Sequence, residues 1–125
     1  MEHEHKSFLT RYVFSTDHKV IAKQFLISGI FWAIIGGFLS VLMRVQLGFP
    51  DSSYPLLKEL APHVFLNGKI QPELYYQLMT MHGTIMIFFV LTAGLSGTFA
   101  NLLIPLQVGA RDMASPFLNM LSYWF

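Results

Sequence analysis

Two long stretches of the chain carry no Asp, Glu, Lys or Arg: residues 24–43 (20 residues) and 74–110 (37 residues). A helix needs about 20 mostly apolar residues to cross a bilayer, so each stretch predicts a transmembrane helix. Ser15-Thr16-Asp17 precedes the first, and their side-chain oxygens suit a helix N-cap. That helix is expected to run to about Met43 or Arg44. Within it Gly29, Ala33 and Gly37 recur at i, i+4, i+8, a small-residue stripe that lets a second helix approach closely in lipid. Residues 45–72 hold Pro50, Pro55 and Pro62, then Asn67-Gly68 and Pro72, all loop and turn signals. Pro72 suits the start of the next helix, with Glu73 in its first turn. This second helix is expected from about Glu73 to about Leu103, with Pro105, Gly109 and Arg111-Asp112 breaking it. Ser115-Pro116 opens a third apolar segment that stops at Phe125, the pattern expected of a piece of a longer protein. The predicted fold class is therefore all-α, a polytopic transmembrane helical bundle. Its parts are an N-terminal segment 1–23, a first span 24–44, a loop 45–72, a second span 73–104, a turn 105–114 and the start of a third span 115–125.

Composition agrees with this pattern. Hydrophobic residues make up 54% of the chain and charged residues 12%, about half the share usual in a soluble domain. The first apolar run is longer than the 7–15 residues of a signal-peptide core. The segment after it, Leu42-Met43-Arg44-Val45-Gln46, lacks small residues for cleavage, so the span is read as retained. Lys and Arg number five on the tail and the turn after the second span (Lys6, Arg11, Lys19, Lys23, Arg111), against three between them (Arg44 at the end of the first span, Lys58 and Lys69). That bias puts the N-terminus and Asp112 on the cytoplasmic or matrix side and the 45–72 loop outside. A net charge of +1 gives no footprint for nucleic acid. With no cysteine, disulfides and thiolate metal sites are excluded, and a metal or haem would need His, Met or oxygen ligands.

His82 is the foremost candidate for chemistry. It lies nine residues into the second helix, about 13 Å below the outer surface at 1.5 Å per residue. Ionisable groups at such depth are costly and mark functional sites, and imidazole is a common iron and copper ligand. A histidine hydrogen-bonded to a neighbouring helix meets the same pattern. The other histidines, His3, His5, His18 and His63, lie outside the spans, so this stretch cannot complete a six-coordinate metal by itself. Arg44 ends the first span, either as an interfacial snorkelling side chain or as a donor to a buried cofactor. Asp112 follows the second helix, as a solvated turn acid or as a group that handles protons. Asn101 and Asn119 flank it and could order water.

Four blocks of residues resemble one family. They are Phe14-Ser15-Thr16-Asp17-His18-Lys19, then Leu42-Met43-Arg44 with Leu47-Gly48, then His82 with Met86-Ile87-Phe88-Phe89. The fourth is Asn101 through Pro105, continuing into Gly109-Ala110-Arg111-Asp112-Met113 and Pro116. In order and spacing they resemble the N-terminal part of the haem–copper oxidases, specifically the cytochrome c oxidase subunit I family. The resemblance implies that His82 is an axial ligand of a low-spin haem, most simply haem a, and that Arg44 hydrogen-bonds its formyl group. It implies that Asp112 stands at the mouth of a proton channel, with Asn101 and Asn119 just inside. A second, high-spin haem and copper, subunits II and III and a cytochrome c donor are expected with the full subunit. So is a bacterial inner membrane, in preference to the mitochondrial one. The sequence departs from the pattern at Met120, where the family often has a second asparagine. It departs again at Gln46, where many members have a glutamate of an outer cation site. A quinol oxidase of the same superfamily is the alternative, but Ile35, Leu39, Leu74 and Gln77 stand at the quinone-binding positions and three of the four are apolar. A non-enzymatic membrane subunit with a structural histidine is a third reading. Copper-ligating histidines are expected beyond Phe125.

Overall fold

The computed structural model describes residues 8–51, 53–60, 62 and 68–125, with the backbone alone at 56, 57 and 60. The readings made of His3, His5, Lys6, His63 and Asn67 lie outside the described residues. The described residues form helices joined by turns, with no strand among them, as the charge-free runs required. The order is an N-terminal π turn Leu9–Val13, α1 His18–Gly48, a short α2 Pro55–Leu60, α3 Pro72–Val108 and α4 Pro116–Trp124. α1 and α3 have 31 and 37 residues, and only 11% and 17% of their most apolar windows are buried. The core helix of a soluble domain hides such surface, whereas a membrane helix offers it to lipid or to further helices.

Two local results differ from expectation. α3 passes through Pro105 and ends at Gly109, whose φ of 73° is left-handed. Proline removes only its own N–H and the bond to the Asn101 carbonyl, and it comes so near the helix end that little else is lost. The stop is the Gly109 cap, where Ala110 N–H bonds to the Pro105 carbonyl at 2.9 Å. Likewise α1 runs past Arg44 to Gly48, since nothing in Val45–Gly48 forbids a helix. Within α3 the segment Ile85–Ser96 is wound as a π-helix between two α-helical parts. The Ser96 hydroxyl bonds to the Leu91 carbonyl five residues back.

The chain forms two compact units. In the first, residues 1–30 and 90–125, Gly29 lies against Gly94 so closely that an added Cβ would meet the Gly94 Cα at 2.8 Å. Phe25 packs on Gly97 and meets Tyr123 edge-on at 5.1 Å. Tyr123 also shares a 2.6 Å hydrogen bond with Ser28. Gln24 Nε2 donates to the carbonyls of Tyr12 (2.7 Å) and Val13 (2.9 Å), and Trp124 Nε1 donates to Val13 at 3.3 Å. These bonds strap the N-terminal π turn to α1 and α4.

In the second unit, residues 31–89, Gly36 rather than Gly37 is the point of contact. A Cβ on Gly36 would meet Met86 Sδ at 2.8 Å, while one on Gly37 meets nothing within 4 Å among the described residues. The expected stripe of Gly29, Ala33 and Gly37 is thus corrected. Seven residues are nearly two full turns at 3.6 per turn, so i+7 returns to the same face and i+8 overshoots it. Met43, Ile70 and Leu78 form this unit's buried cluster, with Leu39, Leu42, Leu74 and Tyr75 packed against it.

Candidate functional site

His82 sits near the end of the α-helical first part of α3, just before the π segment, and is half-buried. Its Nδ1 donates to the Gly36 carbonyl of α1 at 2.8 Å. A carbonyl only accepts, so Nδ1 carries a proton, and in the neutral ring Nε2 then keeps a bare lone pair. Metal-binding histidines are commonly held this way, with one ring nitrogen pinned by a carbonyl and the other turned to the metal. The absence of a side chain at Gly36 is what lets α3 come close enough for the bond. The donor set therefore fits an iron ligand through Nε2, and one hydrogen bond also satisfies a histidine of purely structural kind. Among the described residues no three of His, Asp and Glu gather around a common point.

Arg44 lies eight residues beyond Gly36 on α1, about 12 Å along the axis, and is exposed. Gln46 is engaged locally, since its Oε1 accepts the Ile70 N–H at 2.9 Å. The amide thus anchors the end of the 45–72 loop to α1.

In the first unit the structure brings Asp112 to a residue the sequence had set aside. Asp112 Oδ1 accepts from His18 Nδ1 at 3.1 Å and from the Met113 N–H at 2.8 Å. His18 is only 3% exposed. A second carboxylate, Asp17, comes within 3.6 Å of the same ring nitrogen while capping the Lys19 N–H at 3.0 Å. Reading His18 as a polar residue before the first span missed this pair. The available signal was its place in the first turn of a long helix, directly after the Ser15–Asp17 cap.

Asn101 is 4% exposed, and its Nδ2 donates to the Gly97 carbonyl at 2.7 Å. Its Oδ1 is buried with no hydrogen-bond partner among the described residues, and Asn119 Nδ2 and Gln24 Oε1 share that condition. Direct hydrogen bonds do not join Asn101, Asn119 and Asp112 to one another. What Asn101 and Asn119 share is a buried amide atom in need of a partner. Such atoms in proteins are normally met by ordered water. Gln24 is the further member of this group, and its place as the first uncharged residue after Lys23 did not single it out.

The sequence profile described as Cytochrome C and Quinol oxidase polypeptide I matches residues 20–125. Over 119 residues the chain is 46% identical to the Alternative cytochrome c oxidase subunit 1 of Bradyrhizobium diazoefficiens, covering 95% of this chain and 18% of that protein. It is 40% identical over 113 residues to the Cytochrome c oxidase subunit 1 of Thermostichus vulcanus, covering 90% and 18%. It is 39% identical over 118 residues to the Heme-copper oxidase subunit I+III of Aeropyrum pernix, covering 94% and 12%. The chain thus spans less than a fifth of the length of these curated relatives.

Proposed function

The chain belongs to the cytochrome c and quinol oxidase polypeptide I family, and from that premise we propose that it is part of the haem-bearing subunit of a terminal respiratory oxidase. That enzyme would pass electrons from cytochrome c to oxygen, reduce it to water and pump protons, in the inner membrane of a bacterium. It would assemble with subunits II and III, and its second haem and copper would be held by helices beyond Phe125.

The observation that carries this reading is the His82–Gly36 bond. His82 would hold a low-spin haem, haem a, through Nε2, with the Nδ1 proton kept on the Gly36 carbonyl at 2.8 Å. When bound, the haem would supply a one-electron relay. Arg44 would turn its guanidinium fork to the haem's formyl oxygen and fix its orientation. At the inner surface Asp112 would collect protons, its carboxylate oriented by His18 and the Met113 N–H. Asn101 Oδ1 and Asn119 Nδ2, an acceptor and a donor left over in a buried place, would hold the first waters of the path.

A cytochrome donor is favoured over a quinol. Leu39 and Leu74, at two of the quinone-binding positions, pack against the Met43, Ile70 and Leu78 cluster instead. His82→Ala in the full subunit is expected to abolish the low-spin haem signal in the optical spectrum. An unchanged spectrum refutes the ligand assignment and returns His82 to a structural role.

A further inference from the structure

Beside the start of α1 lies a cavity of 490 Å³ that the oxidase reading leaves unused. Its lining includes Arg11 and Lys23, the hydroxyl residues Thr10 and Thr16, and Tyr12 and Asp17. Among the described residues neither cation forms an ion pair. Asp17, the one carboxylate among the described lining residues, is already engaged, its Oδ1 capping the Lys19 N–H at 3.0 Å. Among the described lining residues two cations face one acid, so their balance is positive.

Its setting is interfacial. Lys23 is the last charged residue before the 20-residue charge-free run. The Arg11 guanidinium lies over the Tyr12 ring at 5.4 Å, and Phe14 meets Trp124 at 5.5 Å. Aromatic rings beside Lys and Arg are the composition of a membrane–water boundary. The Tyr12 and Val13 carbonyls are tied down by Gln24 and Trp124, so this wall of the cavity is held in place before any ligand arrives. Beyond Lys23, α1 offers exposed apolar side chains at Leu26, Ile27 and Ile30.

We infer that this cavity binds the phosphodiester headgroup of an anionic glycerophospholipid. Arg11 and Lys23 neutralise the phosphate, the threonine hydroxyls donate to its oxygens, and the acyl chains lie along the apolar face that begins at Leu26. A lipid suits the place better than a free phosphate, because charge and apolar surface adjoin there. The inference needs only a membrane-spanning chain and is independent of what His82 binds.

The test uses the intact purified oxidase in mild detergent. It is titrated separately with dioleoyl phosphatidylglycerol, dioleoyl phosphatidylcholine and inorganic phosphate, and binding is read by native mass spectrometry. Each cation near a lipid phosphate is worth roughly fivefold in affinity. The double variant R11Q/K23Q is therefore expected to weaken the tightest phosphatidylglycerol by about 25-fold, leaving phosphatidylcholine binding, the haem spectrum and turnover unchanged. R11K/K23R should retain the lipid. If the double variant does not assemble, Arg11→Gln and Lys23→Gln separately should each show the fivefold loss. Phosphatidylglycerol binding that ignores these changes overturns the inference. So does inorganic phosphate that binds as tightly as the lipid, with the same dependence on Arg11 and Lys23.

Discussion

Gly29 and Gly37 are both glycines in one apolar helix, yet the structure predicts opposite results for replacing them with alanine. At Gly29 the new Cβ would stand 2.8 Å from the Cα of Gly94. Carbon atoms settle at about 3.5–4.0 Å, so the two backbones must separate by roughly 0.7–1.2 Å. No rotamer relieves a contact between a Cβ and a main-chain atom. The penalty falls in the upper part of the overpacking range, about 2–3 kcal/mol. Against this, alanine in place of glycine favours the helix by about 1 kcal/mol, leaving a net loss of about 1–2 kcal/mol. At Gly37 nothing lies within 4 Å among the described residues, so only the propensity gain operates, up to about 1 kcal/mol. The two variants should therefore differ by about 2–3 kcal/mol. Thermal unfolding of the full subunit in detergent, followed by haem absorbance, measures the order. If Gly29→Ala proves as stable as Gly37→Ala, the close approach of Gly29 to Gly94 is wrong.

Two further outcomes bear on the proposed chemistry. Arg44→Lys keeps the charge but loses the planar fork, so the low-spin haem band should move to the blue with haem retained; a band that stays put leaves Arg44 a snorkelling interfacial residue. Asp112→Asn still offers an oxygen to His18 and to the Met113 N–H but cannot titrate. It should leave the haem spectrum intact, slow oxygen reduction strongly and remove proton pumping. Turnover and pumping at wild-type levels in reconstituted vesicles would make Asp112 a solvated turn acid.

Much of the fold was legible because a membrane helix announces itself by the absence of charge. Residues 24–43 and 74–110 needed no finer reasoning. Where a helix stops was harder, since Pro105 and Gly109 are both breakers in sequence and only the left-handed backbone at Gly109 ends the ladder. The π winding of Ile85–Ser96 has no composition that marks it. Which glycine touches a neighbour depends on helical phase, so a stripe read at spacing four drifted off the contact face by Gly37. His82 stood out by depth alone, but its Gly36 partner is 46 residues away in sequence and invisible to any local pattern. The same holds for His18, which looked like a polar residue in front of a span. Its partner Asp112 is 94 residues further on.

Those separations also carry a meaning in time. A ribosome adds about 5–20 residues per second. His18 therefore waits about 5–20 s for Asp112, 94 residues later, to be synthesised. The Val13 carbonyl waits slightly longer for the Trp124 indole, 111 residues on. Through that interval the ring that ends up buried at the start of α1 still lacks its carboxylate. The N-terminal end of α1, made early, thus closes only after α3 and α4 have been made.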